Sequence, residues 1–275
     1  MQKRPQVSGL FSFGSASKTD IFYLAIKTKT PMATKFEHLL ILSAILMGIL
    51  SFKQANNKET FTTNEGDLNI TLLGHASLLL QFNGKNIYID PCKAFTKEAT
   101  PLKADAIIIT HSHFDHFDAK EIERLSTKNT IIVAPEQYSN IKPAIILKNG
   151  QKKIILGINV EAVPAYNIKH KTDNGTLFHP KGEGNGYVLT IGNKKFYVAG
   201  DTEDVPEMAN LKEIDVAFIP LNLPYTMDIN MFDSTVKIIN PKIVYPYHYK
   251  GSDLNALKSK LETYKKIDVR IRNIY

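Results

Sequence analysis

The segment at residues 110–116 constrains the chain most, because it places three histidines and one carboxylate in a single short loop. It directly follows an apolar run at residues 106–109, which lacks a helical period and predicts a buried strand. Imidazole and carboxylate are common ligands of zinc and other first-row divalent metals. The chain holds eight histidines in all, so their concentration here favours a metal site over an ordinary polar surface loop.

Further ligand-type residues follow other predicted strands. Asp201 and His248 each stand one step past an apolar run, where α/β proteins usually place their chemistry. His75 lies between two predicted strands; a metal ligand, a donor behind the ligands and a substrate contact remain its three alternatives. His111 and His113 are two residues apart, so an extended segment puts them on one face, where both can chelate one ion.

Asp115 and His116 come where the chain turns towards a predicted helix, so they can face a second metal position. Two metals roughly 3.5–4 Å apart can share a bridging water, and Asp201 is the natural bridging carboxylate between them. A bound metal lowers the pKa of its water to about 7, which predicts attack by a metal-bound hydroxide. Tyr225 or His75 is expected to help stabilise the oxyanion, with simple packing as the alternative for Tyr225.

The predicted elements run from strands to alternating strands and helices, and this order occurs twice. It favours an α/β (α+β) domain of two packed sheets with helices outside over one doubly wound sheet. The folded part is expected to begin near Leu68. The sequence predicts helices at residues 118–126, 137–147, 208–213, 233–240 and 253–266, and a last strand at 269–274.

Residues 32–55 are similar to a secretory signal peptide, because a basic start precedes an apolar run at 39–52 and a polar segment follows it. That run is shorter than the about 20 apolar residues that span a membrane. The expected location is secreted or periplasmic, with an uncleaved membrane anchor as the alternative and residues 1–31 as an over-extended start. Residues 1–57 are therefore assigned to an N-terminal extension and residues 58–275 to one folded domain.

Charge and cysteine content narrow the partners and the ligands. The formal net charge is +7, and the first 52 residues carry more than half of it. The remaining charges are mixed rather than clustered, so no nucleic-acid partner is expected. Cys92 is the only cysteine, which excludes an intramolecular disulfide and a thiolate-rich zinc cluster. Any metal ligands must therefore come from His, Asp, Glu and water.

Three motifs in combination resemble the metallo-β-lactamase hydrolase superfamily, over about residues 68–275. They are His-Ser-His-Phe-Asp-His at 111–116, Gly-Asp-Thr at 200–202, and His248. Gly-His-Ala-Ser at 74–77, Ile-Asp-Pro at 89–91 and Tyr-His-Tyr at 247–249 are similar to one branch. That branch contains ascorbate-6-phosphate lactonase and N-acylphosphatidylethanolamine-hydrolysing phospholipase D.

The resemblance implies a four-layer αβ/βα sandwich with a metal centre at one edge. It implies one or two zinc ions, with manganese or iron as alternatives. The implied activity is metal-dependent hydrolysis of an ester, lactone or phosphodiester bond in a small-molecule or lipid-like substrate.

By position, the resemblance implies a first metal at His111 and His113, a second at Asp115, His116 and His248, and Asp201 between them. The family usually supplies one more histidine to the first metal from the segment near residues 163–167, where this chain has none. His179 is the best substitute, and Asn167 or water are the alternatives. Asn167 and Tyr225 are also the candidate substrate contacts. With one metal only, Asp115 would act as general base.

Two rival interpretations remain open. One is a redox, diiron member of the same fold, although the chain lacks the glutamate that such sites usually use. The other is a metal-binding envelope protein without turnover. Membrane contact is expected only through the N-terminal signal or anchor, and homo-oligomerisation is left open.

Overall fold

A computed structural model describes residues 57–96, 101–138 and 143–275. The predicted signal peptide at residues 32–55 lies outside these ranges, so the structure does not bear on it. Among the described residues, no helix is long and apolar enough to cross a membrane.

The first sheet has seven strands within the described residues, arranged in space in their sequence order. The first four strands pair antiparallel, and the fourth to seventh pair parallel. Their bounds are β1 Lys58–Thr63, β2 Gly66–Gly74, β3 Ser77–Phe82, β4 Lys85–Ile89, β5 Ala106–Ile108, β6 Ile131–Ala134 and β7 Ala144–Ile146.

The second sheet repeats this design, again with seven strands in the described part of the chain and again in sequence order. Its first four strands are antiparallel and its last four are parallel. Their bounds are β8 Lys152–Ile155, β9 Ile158–Ala165, β10 Gly184–Ile191, β11 Lys194–Val198, β12 Val216–Pro220, β13 Ile243–Tyr247 and β14 Asp268–Val269. The twofold order predicted from the sequence is therefore confirmed.

The described helices each begin at an aspartate that caps the first turn. They are α1 Ala119–Leu125, α2 Ile229–Ile239 and α3 Leu254–Leu261. The side chains of Asp118, Asp228 and Asp253 accept hydrogen bonds from backbone N–H groups of the first turn, which otherwise lack partners. The helix predicted at 118–126 is confirmed, and Asp118 is its cap.

The core lies on both faces of the first sheet because successive strand residues point to opposite sides. Leu78 and Leu80 of β3 belong to the large cluster shared with the second sheet, which includes Phe218. Leu79, between them, packs in a smaller cluster with Leu125 of α1. Both clusters are buried, which explains why β3 is apolar at consecutive positions, and the layers form the predicted sandwich.

Two strands were not predicted. β1 precedes Leu68 and pairs antiparallel with β2, with Lys58 opposite Thr71. The expected start of the folded part near Leu68 is therefore wrong. The helix predicted at 137–147 is also wrong, because Ala144–Ile146 forms β7 and pairs parallel with β6. Among the described residues, a 3-10 turn at Glu136–Tyr138 overlaps the start of that segment.

Two further elements are shorter or tighter than expected. The segment predicted as a helix at 208–213 forms a 3-10 turn at Pro206–Asn210. The strand predicted at 269–274 pairs only as Asp268–Val269, against Ile243 and Val244.

Candidate metal centre

The candidate ligands converge from the ends of strands in both sheets. Residues 111–116 follow β5, and His75 lies in the turn between β2 and β3. Asp201 follows β11, His248 follows β13, and His179 precedes β10. The structure therefore brings together side chains that are up to 173 positions apart, from His75 to His248.

The first cluster consists of His111, His113, His179 and Asp201, whose ligand-type atoms all lie within 4.8 Å of one another. Asp201 Oδ2 lies 3.4 Å from His179 Nε2 and 3.9 Å from His111 Nε2. His179 Nε2 lies 3.1 Å from His113 Nδ1. The structure thus brings His179 together with His111, His113 and Asp201, and its role as third ligand of the first metal stays a prediction.

The second cluster consists of His75, Asp115, His116 and His248, again with all ligand-type atoms within 4.8 Å. Asp115 Oδ2 lies 2.8 Å from His75 Nε2, 3.5 Å from His248 Nε2 and 4.0 Å from His116 Nε2. His75, whose role the sequence left open, therefore stands among the second set of ligand-type residues.

Asp201 lies between the two clusters. Besides its first-cluster contacts, its Oδ1 is 3.3 Å from His116 Nε2 and its Oδ2 is 3.3 Å from His248 Nε2. Gly200 lets the backbone before Asp201 pass close to Asn185. A Cβ at residue 200 would come within 2.9 Å of the Asn185 carbonyl oxygen. Gly200 also has a φ of 66°, which favours glycine.

Several inward-facing polar atoms make no hydrogen bond within the described residues. His111 Nε2, His116 Nε2, His248 Nε2 and Asp201 Oδ1 are buried without a hydrogen-bond partner in the described part of the chain. Leaving such polar atoms unpaired costs free energy, so each calls for an explanation. Imidazole nitrogens with a shared carboxylate form a donor set that suits zinc or another first-row divalent ion. The residues present therefore fit a metal.

Asp90 orients the second cluster from behind. It is fully buried, and its Oδ2 lies 2.7 Å from His116 Nδ1, so the other ring nitrogen of His116 faces the cluster. Thr110 fixes this carboxylate by donating from its backbone N–H at 2.8 Å and from its hydroxyl at 2.5 Å. The sequence singled out Asp90 only as part of a motif; its place at the end of a buried strand was the available signal.

Asn167 and Glu203 orient His179 in the first cluster. The Asn167 amide nitrogen donates to Glu203 Oε1 at 3.0 Å and to the Tyr225 carbonyl oxygen, so its Oδ1 faces His179 Nδ1 at 2.5 Å. His179 must then donate from Nδ1, which leaves Nε2 as the ligand-type atom. Asn167 is fully buried. The structure thus gives Asn167 a supporting contact in place of the expected substrate or metal contact.

Tyr275 supports His75 in a comparable way. Its hydroxyl lies 2.8 Å from His75 Nδ1, and Phe95 stacks on the imidazole with ring centroids 4.7 Å apart. Neither residue was singled out by the sequence, because the contact to Tyr275 spans 200 positions and no local pattern marks it.

The pKa values of several side chains in the site are shifted towards the protonation states that bind a metal. Burial alone would raise the pKa of Asp201, but His248 and His116 hold it well below its usual range. The same balance lowers the pKa of Asp115 through His248 and His75. Burial, and then the neighbouring His116, lowers the pKa of His111. Ionised carboxylates and a neutral imidazole are the forms that bind a metal.

His116 departs from this pattern. Burial acts to lower its pKa, but Asp201 and Asp90 outweigh burial and raise the pKa well above its ordinary value. Two buried carboxylates thus favour a positive charge at this point. A divalent cation would supply that charge in place of the proton.

An open cleft of about 510 Å³ gives access to both clusters. Tyr225 lines it and is 46% exposed; its role as a substrate contact stays a prediction. Phe114 and Phe178 line the same cleft.

Cys92 is buried, and burial raises the pKa of its thiol, which disfavours a thiolate nucleophile.

Comparison with known proteins agrees with this geometry. A UPF0173 metal-dependent hydrolase of Nanoarchaeum equitans is 32% identical over 189 residues, 66% of this chain and 84% of the relative. A crystal structure from Parabacteroides distasonis, of a protein named as a metal-dependent hydrolase, is 40% identical with a TM-score of 0.74. It covers 79% of this chain and 99% of that chain.

Igni18, a metallo hydrolase from Ignicoccus hospitalis, is 27% identical with a TM-score of 0.60, over 74% of this chain and 94% of that one. The lactonase and phospholipase branch stays a prediction. A family model described as the beta-lactamase superfamily domain matches residues 69–248. The chain therefore belongs to the beta-lactamase superfamily, which is the metallo-β-lactamase superfamily that its motifs resemble.

Proposed function

We propose that this protein is a metal-dependent hydrolase that cleaves an ester, lactone or phosphodiester bond. One observation carries the proposal: buried ligand-type atoms without hydrogen-bond partners in the described residues converge from both sheets below an open cleft. Relatives at 32% and 40% identity are named as metal-dependent hydrolases, which supports the same reaction class.

The first cluster would hold one ion and the second cluster another, with Asp201 shared between them. We propose zinc because nitrogen-rich sites with carboxylates suit it, and manganese and iron are the alternatives. When bound, such ions supply Lewis acidity and lower the pKa of water to about 7. The remaining chemistry falls to the side chains that face the cleft.

Asp115 is the partly exposed carboxylate of the site, with 22% of its side chain accessible. Burial acts to raise its pKa, but His248 and His75 lower it, so Asp115 is ionised at neutral pH. With an ion in the first cluster alone, Asp115 would be the general base. Tyr225 can donate its hydroxyl to a developing oxyanion at the cleft, and His75 holds Asp115 in place through the 2.8 Å contact.

The test begins with metal-free protein, to which zinc, manganese or iron is added back before assay with generic esters, lactones and phosphodiesters. Hydrolysis should require metal, and His113→Ala should lower kcat/KM by at least about 100-fold by removing one ligand. Glu65→Ala is the control, because Glu65 is exposed in the turn between β1 and β2 and belongs to neither cluster. Bound metal without hydrolysis of any compound would favour a metal-binding envelope protein without turnover. A visible absorption band from bound iron would favour the redox, diiron member of the fold.

We also propose that the protein is exported, on the strength of the basic start and apolar run at residues 32–55. The N-terminal sequence of the mature protein tests this. A mature chain that begins after the apolar run is expected; a chain that retains the run would favour the membrane anchor.

A further inference from the structure

We infer that the cleft selects a neutral carboxylic ester or lactone that carries an apolar group, in preference to a phosphorylated substrate. This inference rests on the proposed function and narrows its substrate class. It follows from which side chains line the cleft and from the charges that they carry.

Three aromatic side chains form the apolar part of the lining: Phe114, Phe178 and Tyr225. Phe178 and Tyr225 meet edge to face, with ring centroids 5.0 Å apart and an interplanar angle of 73°. Such a pair forms a fixed wall, since aromatic edges and faces attract each other. A cleft of about 510 Å³ is large enough for a small-molecule substrate.

Phe114 is 85% exposed although it stands inside the ligand loop. Its neighbours, His113 and Asp115, both contribute ligand-type atoms to the clusters, so the loop presents Phe114 to the cleft. A single exposed apolar residue needs no explanation. Three aromatic side chains around one cleft above a metal centre offer an apolar substrate group a surface to bury.

Apart from the ions that the two clusters would hold, the described residues of the lining offer no Lys or Arg to a phosphate group. Among the described residues that line the cleft, the charged side chains are Asp115 and Asp201, apart from histidines, and none is Lys or Arg. Phosphate groups are usually held by Arg or Lys, through charge-assisted hydrogen bonds. The other polar groups of the lining, Ser112, Asn222 and the Tyr225 hydroxyl, suit a neutral carbonyl or ester oxygen.

The reaction on such a substrate balances with water alone. The oxygen of water forms a new bond to the acyl carbon, and the bond from that carbon to the alcohol oxygen breaks. One proton of the water ends on the released alcohol, and the acid product leaves as a carboxylate after losing its own proton to solvent. An alkyl or aryl group on the acyl side lies against the aromatic wall throughout.

The experiment compares metal-loaded full-length protein on 4-nitrophenyl acetate, 4-nitrophenyl octanoate and bis(4-nitrophenyl) phosphate. The octanoate ester should exceed the acetate ester in kcat/KM by at least about tenfold, because added methylenes bury apolar surface. The phosphodiester should be the poorest of the three substrates. Phe114→Ala should reduce the octanoate-to-acetate ratio by at least about threefold. Ile154→Ala, at a position 72% exposed and outside the cleft lining, should leave the ratio unchanged.

Binding gives a second readout that needs no turnover. Calorimetric titration should show octanoate binding at least about tenfold more tightly than acetate or inorganic phosphate, and Phe114→Ala should abolish most of the difference.

The failures of the two proposals are distinguishable. A preference for bis(4-nitrophenyl) phosphate would overturn this inference and leave the hydrolase intact. If Phe114→Ala changes neither readout, Phe114 serves another contact and the inference is wrong. Octanoate binding as predicted, without hydrolysis of any of the three substrates, would support the cleft and contradict the hydrolase.

Discussion

His179 illustrates how a neighbouring amide decides which ring nitrogen faces a metal. Asn167 has both amide hydrogens engaged, by Glu203 and by the Tyr225 carbonyl, so it can only accept from His179. Glu203 in turn accepts from three consecutive backbone N–H groups that begin at Ile168, each at 2.7 Å. The orientation of His179 thus depends on hydrogen bonds of Asn167 and Glu203, which belong to neither cluster.

Asn167→Leu is predicted to weaken metal binding at the first cluster by about 10–100-fold, because His179 loses the acceptor for its Nδ1 proton. The second cluster should keep its affinity. Stepwise metal titration of metal-free protein measures both. Asn193→Leu, at an exposed turn residue that accepts from Asn64, is the control. Equal weakening in both variants would show that the Asn167 network has no specific role.

Tyr275→Phe is predicted to have the complementary effect. It removes the hydroxyl 2.8 Å from His75 Nδ1 while keeping the ring, so the second cluster should lose up to about tenfold in affinity. The first cluster should be unaffected in the same titration. Tyr264→Phe, which removes a hydroxyl bonded to Asp233 instead, provides the control. Unchanged binding at the second cluster would rule out support of His75 by Tyr275.

At this scale the sequence predicted the ligand-type residues better than their supports. Four of the ligand-type residues share one loop, so their spacing alone identifies them as candidate ligands: His111, His113, Asp115 and His116. Asn167 and His179 are twelve positions apart and meet through a backbone contact, Asn167 N–H to the His179 carbonyl at 2.8 Å. No local period marks such a loop closure, which explains why the third ligand of the first metal stayed undecided.

Helix α1 is the element that follows the ligand loop, and Glu121 anchors it. Its side chain is fully buried and accepts from Thr96 at 2.5 Å and from Arg124 Nε at 2.6 Å. Burial acts to raise the pKa of Glu121, but these partners hold it below its ordinary value of 4.5. The ionised carboxylate therefore stabilises the helix against the segment that carries Thr96.

Glu121→Gln is predicted to lower the free energy of unfolding by about 1–3 kcal/mol at pH 7, because a buried charged hydrogen bond is lost. Since the folded pKa is depressed, the contribution of Glu121 is present above pH 4.5 and is lost as the pH falls through the lower folded value. Urea unfolding of both proteins at several pH values checks this. A difference that grows on acidification would contradict it.

Elements with a clear pattern were predicted, and those fixed by distant pairing were not. The alternation of β3 and the cap of α1 are local signals. β7 is three residues long and only partly buried, so its apolar run fits a helix equally well until β6 offers a parallel partner. β14 pairs over two residues only, and beyond it the side chains of Arg270 and Arg272 bond to Glu59.

Across the whole molecule, Glu59 ties the first strand to the last segment. It lies 3.0 Å from Arg270 Nη1 and 2.6 Å from Arg272 Nε, although more than 200 positions separate these residues. Tyr245 of β13 also contacts Arg270, at 3.0 Å. β1 is the edge strand of the first sheet and β13 lies next to the edge of the second, so this contact joins the two sheets.

Glu59→Ala is therefore predicted to reduce the free energy of unfolding by about 1–2 kcal/mol, more than an exposed ion pair contributes, since it leaves two guanidinium groups without their carboxylate. Chemical denaturation at low and high salt measures the effect. Glu65→Ala, at an exposed position in the β1–β2 turn, should change stability by less than about 0.5 kcal/mol. Similar losses of unfolding free energy in both variants would contradict a stabilising role for the contacts of Glu59 with Arg270 and Arg272.

The central claim is that two clusters, joined by Asp201, each hold a metal ion. Metal analysis of the purified protein after saturation and desalting tests it most directly. Wild type and Glu65→Ala should retain about two ions per chain, and His179→Ala and His248→Ala about one each, since each histidine change removes one ligand from one cluster. A wild-type protein that retains no metal, or one whose stoichiometry is unchanged by both ligand substitutions, would contradict the claim.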